Sequence, residues 1–489
     1  MISLPFFEQF KSQVRVTGKY GIFEKRNIGH KLSVCQTKYT ELLPVEKTPY
    51  TRLLIFVPEI NPRIRFIVEF IFQTILGIEV SYTTDSGEFV LSGLPKINYS
   101  QVNISSGLFL KAHTILFRKG IVKQDLVEVN YQEQRLFFPS SEDSFLPFDP
   151  FACSFYLLTR YEEYLPGHKD EHERFPDSEN ILVRLGMNHK PVVDQIALWI
   201  ADKLSERFPE FKITPRTFRF MTTIDIDNAF AYKNKTIGIG LGAACKAVMK
   251  GQGIEIRKRM AVLFGLEKDP YDTYDYILET YKGCADQLQF FILLGDRNPY
   301  DKNISHKNKR YRQLIGQLAE VCKTGIHPSY ASNRHPDRLK TEKERLEEII
   351  QKPVTQSRQH YLKLKFPETY QSLIKAGLTD DYTMGFAGQI GFRAGTCTAF
   401  PFFDLSANRS TELMIHPFHV MDVALKNYMS MSPDEAWRVI LELMLEVKKV
   451  NGTFISLWHN ESLSDSGQWQ GWQKVFEQMT ETGLKLEHE

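Results

Sequence analysis

The second half of the chain reads as apolar runs of strand length separated by amphipathic runs of helical length. A polar residue recurs where each apolar run stops. Phe218–Ile226 is apolar and β-branched, and it ends by presenting Asp225 and Asp227. Alternation with a period of two turns both carboxylates to one side of such a strand, with Ile224 and Ile226 on the other. Two like charges that close are costly unless a cation lies between them or one takes a proton. A single Asp-x-Asp is more often a helix cap or a turn, so its meaning depends on the residues further along the chain. The pattern then predicts a helix over residues 271–286, a strand over 288–294, and a helix over 307–323 capped by Gly325. A charged helix over 337–351 stops before Pro353, a strand with its tail covers 354–361, and a helix over 367–376 is capped by Gly377. A helix over 434–449, started by Ser432-Pro433, leads into the apolar run from Thr453 to Glu461.

Asp225 and Asp227, His327, Arg358 and His360, Arg393, and His459 and Glu461 each fall at or just past the end of a predicted strand. In a parallel βα barrel the C-terminal strand ends converge on one face, where the sites of that architecture lie. Any one of these histidines alone is more often a cap or a surface residue. Their recurrence at equivalent places predicts one shared pocket.

The first two hundred residues carry no comparable set. Leu53–Val57, Phe89–Leu91, Ile97, Leu108–Leu110 and His113–Phe117 read as short strands, and residues 62–76 have helical spacing, with Arg63 and Arg65 on one side. Asp149-Pro150 starts a helix within residues 148–164, on which Arg160, Glu162 and Glu163 read as a solvated face. Residues 191–208 form an amphipathic helix and 209–215 a linker. The predicted fold class is therefore α/β: a C-terminal (β/α) barrel over 213–489, with an insertion at about 233–270, preceded by an α+β domain over 1–212.

Composition narrows the function classes. A chain of 489 residues exceeds one ordinary core, and 42% hydrophobic with 25% charged residues is globular. A net charge of +2 without a long basic block excludes a nucleic-acid footprint. Cys35, Cys153, Cys245, Cys284, Cys322 and Cys397 are scattered, without a Cys-x-x-Cys pair, which points to reduced thiols. The first residues, Met1–Glu8, lack a basic and then apolar leader, and no apolar run is long enough to span a bilayer. The expected location is cytoplasmic. No Gly-x-Ser-x-Gly elbow is present, which argues against a serine hydrolase.

Taken in order, Thr223-Ile-Asp-Ile-Asp227, Gly325-Ile-His-Pro-Ser-Tyr-Ala-Ser332, Ser357-Arg-Gln-His-Tyr-Leu362 and Leu457-Trp-His-Asn-Glu461 resemble the motifs of the polysaccharide deacetylase superfamily (NodB homology, carbohydrate esterase family 4). The match looks closest to the divergent two-domain proteins of this type found in Bacteroidetes. The resemblance covers residues 218–461 and implies a distorted (β/α) barrel that removes acetyl groups from N-acetylated sugars with a divalent metal, usually zinc. It implies Asp225 as general base, Asp227 and His327 as metal ligands, Arg358 as the residue that orients the base, and His459 as general acid. The sequence departs from the pattern at Ala331, where the family has its second histidine ligand. His360, where the family usually has proline, is the expected replacement, since a catalytic zinc takes three protein ligands. Tyr330, Trp458 and Arg393 are the candidate substrate contacts: aromatic rings for sugar faces, a guanidinium for a carboxylate or phosphate.

Besides a pure scaffold, which leaves the recurring polar residues unexplained, two rival readings remain open on the sequence. One is a degenerate carbohydrate-binding protein, prompted by Ala331. The other is a glycoside hydrolase on a related barrel, pairing Asp225 with Asp381 or Glu461. The Gly-rich run Thr236–Ala244, followed by the basic stretch 246–259, reads either as a helical insertion packed on the barrel or as an amphipathic flap. Such a flap would touch a membrane carrying a lipid-linked glycan, placing the protein at the periphery of the inner membrane.

Overall fold

The computed structural model describes residues 52–104, 106–234 and 253–489. The proposed flap at 236–244, and the stretch after it up to residue 252, lie outside them. From Gly253 the chain is helical to Leu263. Among the described residues no helix is long and apolar enough to cross a membrane.

The first half is built on four parallel strands, β1 (Arg52–Phe56), β2 (Glu79–Thr83), β3 (Lys96–Ser100) and β4 (Leu108–Lys111), in the order β2-β1-β3-β4. A hairpin of β5 (Glu128–Tyr131) and β6 (Gln134–Phe137) follows. The expected α+β mixture is thus a parallel sheet with helical crossovers, because a single strand's pattern does not reveal the direction of its partner. Two of the short apolar runs are not strands. Phe89–Leu91 lies in the helix Ser86–Leu91, which Asp85 starts by accepting the Gly87 and Glu88 N–H groups. His113–Phe117 folds as a single helical turn at Thr114–Leu116.

The second half holds a nine-stranded sheet. Its strands are β7 (Arg219–Ile226), β8 (Leu288–Ile292), β9 (Lys323–Ile326), β10 (Gln356–Ser357), β11 (Asp380–Asp381), β12 (Phe400–Asp404), β13 (Arg409–Ile415), β14 (Val420–Met421) and β15 (Thr453–His459). They run in the order β12-β13-β11-β10-β9-β8-β7-β15-β14, and only β12 is antiparallel to its neighbour. Gly325, expected as a helix cap, lies inside β9. A Cβ there would sit 2.7 Å from the Phe291 ring and 2.8 Å from the Gln356 carbonyl, so close strand approach demands the glycine.

Only residues 416–419 separate β13 from β14, although six strands lie between the two in the sheet. An extended link from Ile415 to Val420 reaches about 18 Å at most, whereas seven flat strand spacings cover about 34 Å. The sheet therefore curls. Strand pairing does not close between β13 and β14, so the expected barrel is an incomplete one, and the link bridges the seam. His416 N–H donates to the Asp381 carbonyl, and His419 N–H to that of Ile455.

Alternation sorts the two faces of the curl. Met221, Phe291, Tyr382, Phe418, Ile455 and Leu457 form an interior cluster, while Phe220, Ile224, Phe290, Phe454 and Trp458 belong to the outer core beneath the helices. That outer core is continuous from Leu53 to Leu486, so both halves share it. Buried polar contacts also cross between them. Arg160 and Glu163, expected on a solvated face, are 1% and 5% exposed, and Glu163 binds Arg393 through both carboxylate oxygens at 2.8 Å. Asp194 likewise accepts from Arg216, Thr396 and the Cys397 N–H. An apolar stripe on the helix Pro150–Leu158 could not disclose which partner its polar neighbours would meet.

Candidate metal centre

The C-terminal ends of β7, β9, β10 and β15 contribute side chains to a cavity of about 270 Å³. Interior-facing Thr223 and Asp225 lie at the end of β7, and Asp227 follows two residues on. His459 closes β15, directly opposite Asp225 in the ladder. His327 stands just past β9, its N–H on the Ile292 carbonyl, and His360 past β10, its N–H on the Pro328 carbonyl. One ligand atom each from Asp227, His327 and His360 lies within 4.8 Å of the others.

The hydrogen bonds around these groups fix what each atom can offer. His327 Nδ1 is 2.5 Å from the Arg358 carbonyl, which only accepts, so Nδ1 carries a proton and Nε2 is the nitrogen turned toward the cavity. That nitrogen lies 3.2 Å from Asp227 Oδ1 and 3.7 Å from Asp225 Oδ2. Asp227 Oδ1 is buried and has no hydrogen-bond partner. An imidazole nitrogen and carboxylate oxygens this close need positive charge among them, carried by protons on the imidazoles or by a metal ion in their place. Two atoms about 2.0–2.1 Å from one zinc at tetrahedral angles lie about 3.3 Å apart. The His327–Asp227 and His360–Asp227 separations, 3.2 and 3.3 Å, are of that size. The donor set thus fits a divalent metal.

Charge is arranged in pairs. Burial works against the Asp227 carboxylate, but His360 and His327 hold it well below the usual range. Burial likewise opposes a charged His360, yet the Asp227 and Asp301 carboxylates lift it to about 9. His459 donates Nδ1–H to Asp422 at 2.8 Å, while its backbone N–H reaches the other Asp422 oxygen at 2.7 Å. This carboxylate outweighs burial and raises the imidazole to about 10. Its Nε2 lies 4.0 Å from Asp227. Arg358, wholly buried, binds Asp225 Oδ1 at 3.0 Å and Thr223 Oγ1 at 2.6 Å, and its guanidinium lies over the Phe291 ring.

The structure thus brings Asp225, Asp227, His327, His360, Arg358 and His459 together. It does not bring the three expected substrate contacts to the cavity wall. Trp458 faces outward by the alternation that turns His459 inward, and is wholly buried against Phe476 and Trp472. Tyr330 lies behind Tyr300, stacked on it at 4.1 Å; Tyr300 and Tyr361 form the wall itself. Arg393 is held by Glu163 and lines a smaller neighbouring cavity. Asp381 is fully buried on Ser357 and Thr383, and only Glu461 of the two alternative acids reaches the cavity.

Asp301, Asp422 and Arg174 are functional candidates that the sequence pattern did not single out. Asp422 follows a two-residue strand, too short to show a period. Asp301 sits in the turn-like run Asn298-Pro-Tyr-Asp301. Arg174 belongs to the polar stretch 168–176 of the first half, yet it lines the cavity and donates to the Tyr361 carbonyl at 2.9 Å. Tyr361 is left-handed there, φ 61°, a conformation that a non-glycine residue adopts at a cost.

Residues 53–209 match a family of unknown function, DUF7033. No curated protein matches the chain. Among solved structures, the chain is similar to one named as a polysaccharide deacetylase from Mycobacterium smegmatis, with 13% identity and a TM-score of 0.36 over 56% of this chain and 91% of that one. It is also similar to a polysaccharide deacetylase from Bacillus cereus, at 12% identity and TM-score 0.28 over 55% and 87%. A CE4 family pseudoenzyme from Bacillus anthracis overlaps at 11% identity and TM-score 0.28, over 55% and 63%. Likeness at this level says nothing of chemistry, which rests on the residues above: a cluster of two histidines and an aspartate fit for a divalent cation, flanked by an Arg–Asp and an Asp–His pair.

Proposed function

We propose that this protein is a divalent-metal-dependent hydrolase that removes the acetyl group from an N-acetylated amino sugar in a polysaccharide or glycan precursor. One observation carries the proposal: His327 and His360 both turn Nε2 toward Asp227, at 3.2 and 3.3 Å, between a carboxylate paired with arginine and an imidazole paired with aspartate. The motif order from Thr223 to Glu461 supports the same reading.

A cation held by Asp227, His327 and His360, zinc being the expected one, would supply Lewis-acid polarisation of the amide and an acidified water. Asp225, fixed by Arg358, takes the proton of the attacking water. The Tyr361 backbone N–H is the proposed donor to the developing oxyanion. His459, kept protonated by Asp422, delivers a proton from Nε2 to the departing amine. The Tyr300 and Tyr361 rings offer apolar faces to the sugar.

The test is the metal content of the purified protein and of Asp227→Ala, His327→Ala and His360→Ala, followed by a screen of N-acetylated sugars. About one zinc per chain, lost in all three variants, is the expected result. A wild type that takes up no metal even after reconstitution would overturn the proposal and favour a sugar-binding role.

A further inference from the structure

Asp301, in the segment after β8, is wholly buried. Its Oδ1 accepts Nδ1–H of His360 and the backbone N–H of Tyr330, both at 2.8 Å. Its Oδ2 accepts from the Asn298 amide and, at 3.4 Å, from the Ala331 N–H. A carboxylate only accepts, so this contact places a proton on His360 Nδ1 and leaves Nε2, 3.3 Å from Asp227, as the atom that can bind a cation. Turning the ring over would put Cδ2 where Nδ1 now meets Asp301, and the bond would be lost. Tyr330 and Ala331 belong to the loop that begins with His327, so the same side chain ties that loop to His360. Position 331 itself offers no ligand atom beyond its backbone.

We propose that Asp301 is the positioning residue of the metal centre: it sets the tautomer and aim of His360 and locks the His327 loop to it. This rests on Asp227, His327 and His360 being the ligands. A histidine ligand whose second nitrogen is bound by a carboxylate is held in one orientation and made more basic, and loss of such a partner typically weakens metal binding.

Zinc affinity of the full chain is measured by chelator competition for wild type, Asp301→Asn, His360→Ala and the double variant, with thermal unfolding of each in excess chelator. Asp301→Asn is expected to weaken zinc binding about 10–100-fold. In the His360→Ala background, titrated with enough zinc to load the residual Asp227 and His327 site that does not survive purification, the same substitution should change affinity little, because its partner is gone. Unchanged affinity in Asp301→Asn overturns the role. So does an equal loss in both backgrounds, which is what general loosening of the loop would give. If Asp301→Asn does not fold, the wild type decides: long-range proton–nitrogen spectra of the zinc-loaded, histidine-labelled protein should show His360 protonated at Nδ1 and metal-bound at Nε2. The opposite tautomer overturns the proposal. A wild type that binds no zinc overturns the ligand assignment itself, and that failure shows in the wild-type arm alone.

Discussion

His419 and His459 sit at opposite ends of the paired strands β14 and β15, in surroundings that drive their imidazoles in opposite directions. Burial between Phe392 and Phe454 pushes His419 down to about 3, despite the attraction of Asp194. Its Nδ1 instead accepts the Ile455 N–H at 3.1 Å, a bond that needs the neutral ring. In the unfolded chain the same ring titrates near about 6.5. As pH falls below that value, the unfolded state takes a proton that the folded state refuses, so His419 removes stability progressively down to about pH 3. His419→Asn keeps an acceptor for Ile455 and has nothing to titrate. Its melting temperature should fall less steeply than that of wild type between about pH 6.5 and about pH 4.5; parallel slopes would dismiss the account. The same residue scale shows what the sequence conceals. Asp225 and Asp227 announce themselves because they end an apolar strand. Asp301 and Asp422 act through partners about 60 and 40 residues away, which no local pattern records.

At the scale of the element, β7 and β15 carry the site through one rule. Their ladder is unbroken from Thr453 opposite Arg219 to His459 opposite Asp225, so a single register decides which side chains enter the curl. This is why Trp458 belongs to the outer core while its neighbour His459 reaches the cavity. Trp458→Ala is expected to cost about 3–5 kcal/mol of stability in denaturant unfolding, as cavity-forming losses of aromatics do. The folded fraction should bind the same amount of metal as wild type, because the ring touches Trp472 and Phe476 and none of the candidate ligands. Loss of metal from well-folded Trp458→Ala would contradict that placement. Long elements were legible for the same physical reason: the helix Pro433–Lys449, with its Ser432–Glu435 capping box, and the strand β15 each span enough residues to show a period. β10, β11 and β14 span two residues each, and tertiary pairing alone defines them.

For the whole molecule, buried polar contacts join the residues on either side of the linker expected near residue 212. Residues 48–489 form one compact unit. Glu163 with Arg393, and Asp194 with Arg216 and Thr396, are buried polar groups that need both halves. Removing one partner from a buried ion pair costs about 3–5 kcal/mol, so a fragment of residues 213–489 should not fold to a soluble, cooperatively melting protein. A sharp thermal transition in that fragment would show the halves to be independent. The first half also supplies part of the cavity wall. Arg174 is held by Asp170 and binds the Tyr361 carbonyl, while Glu173 binds Lys363. If the proposed deacetylase activity holds, Arg174→Ala is expected to raise KM for an N-acetylated oligosaccharide several-fold, with a smaller change in kcat and unchanged metal content. A fall in kcat alone would move Arg174 from shaping the pocket to the chemistry itself.

The stretch from Asp170 to Arg174 has an evolutionary consequence. Because it touches the loop that carries His360 and Tyr361, the region matched by DUF7033 and the curled sheet cannot drift apart as separately shuffled modules. They should be inherited as one cassette, with compensating changes across positions 173 and 363, whose side chains pair. A chimera that joins residues 53–209 of one relative to the sheet of another should recover a working pocket only when its junction-spanning residues are exchanged together.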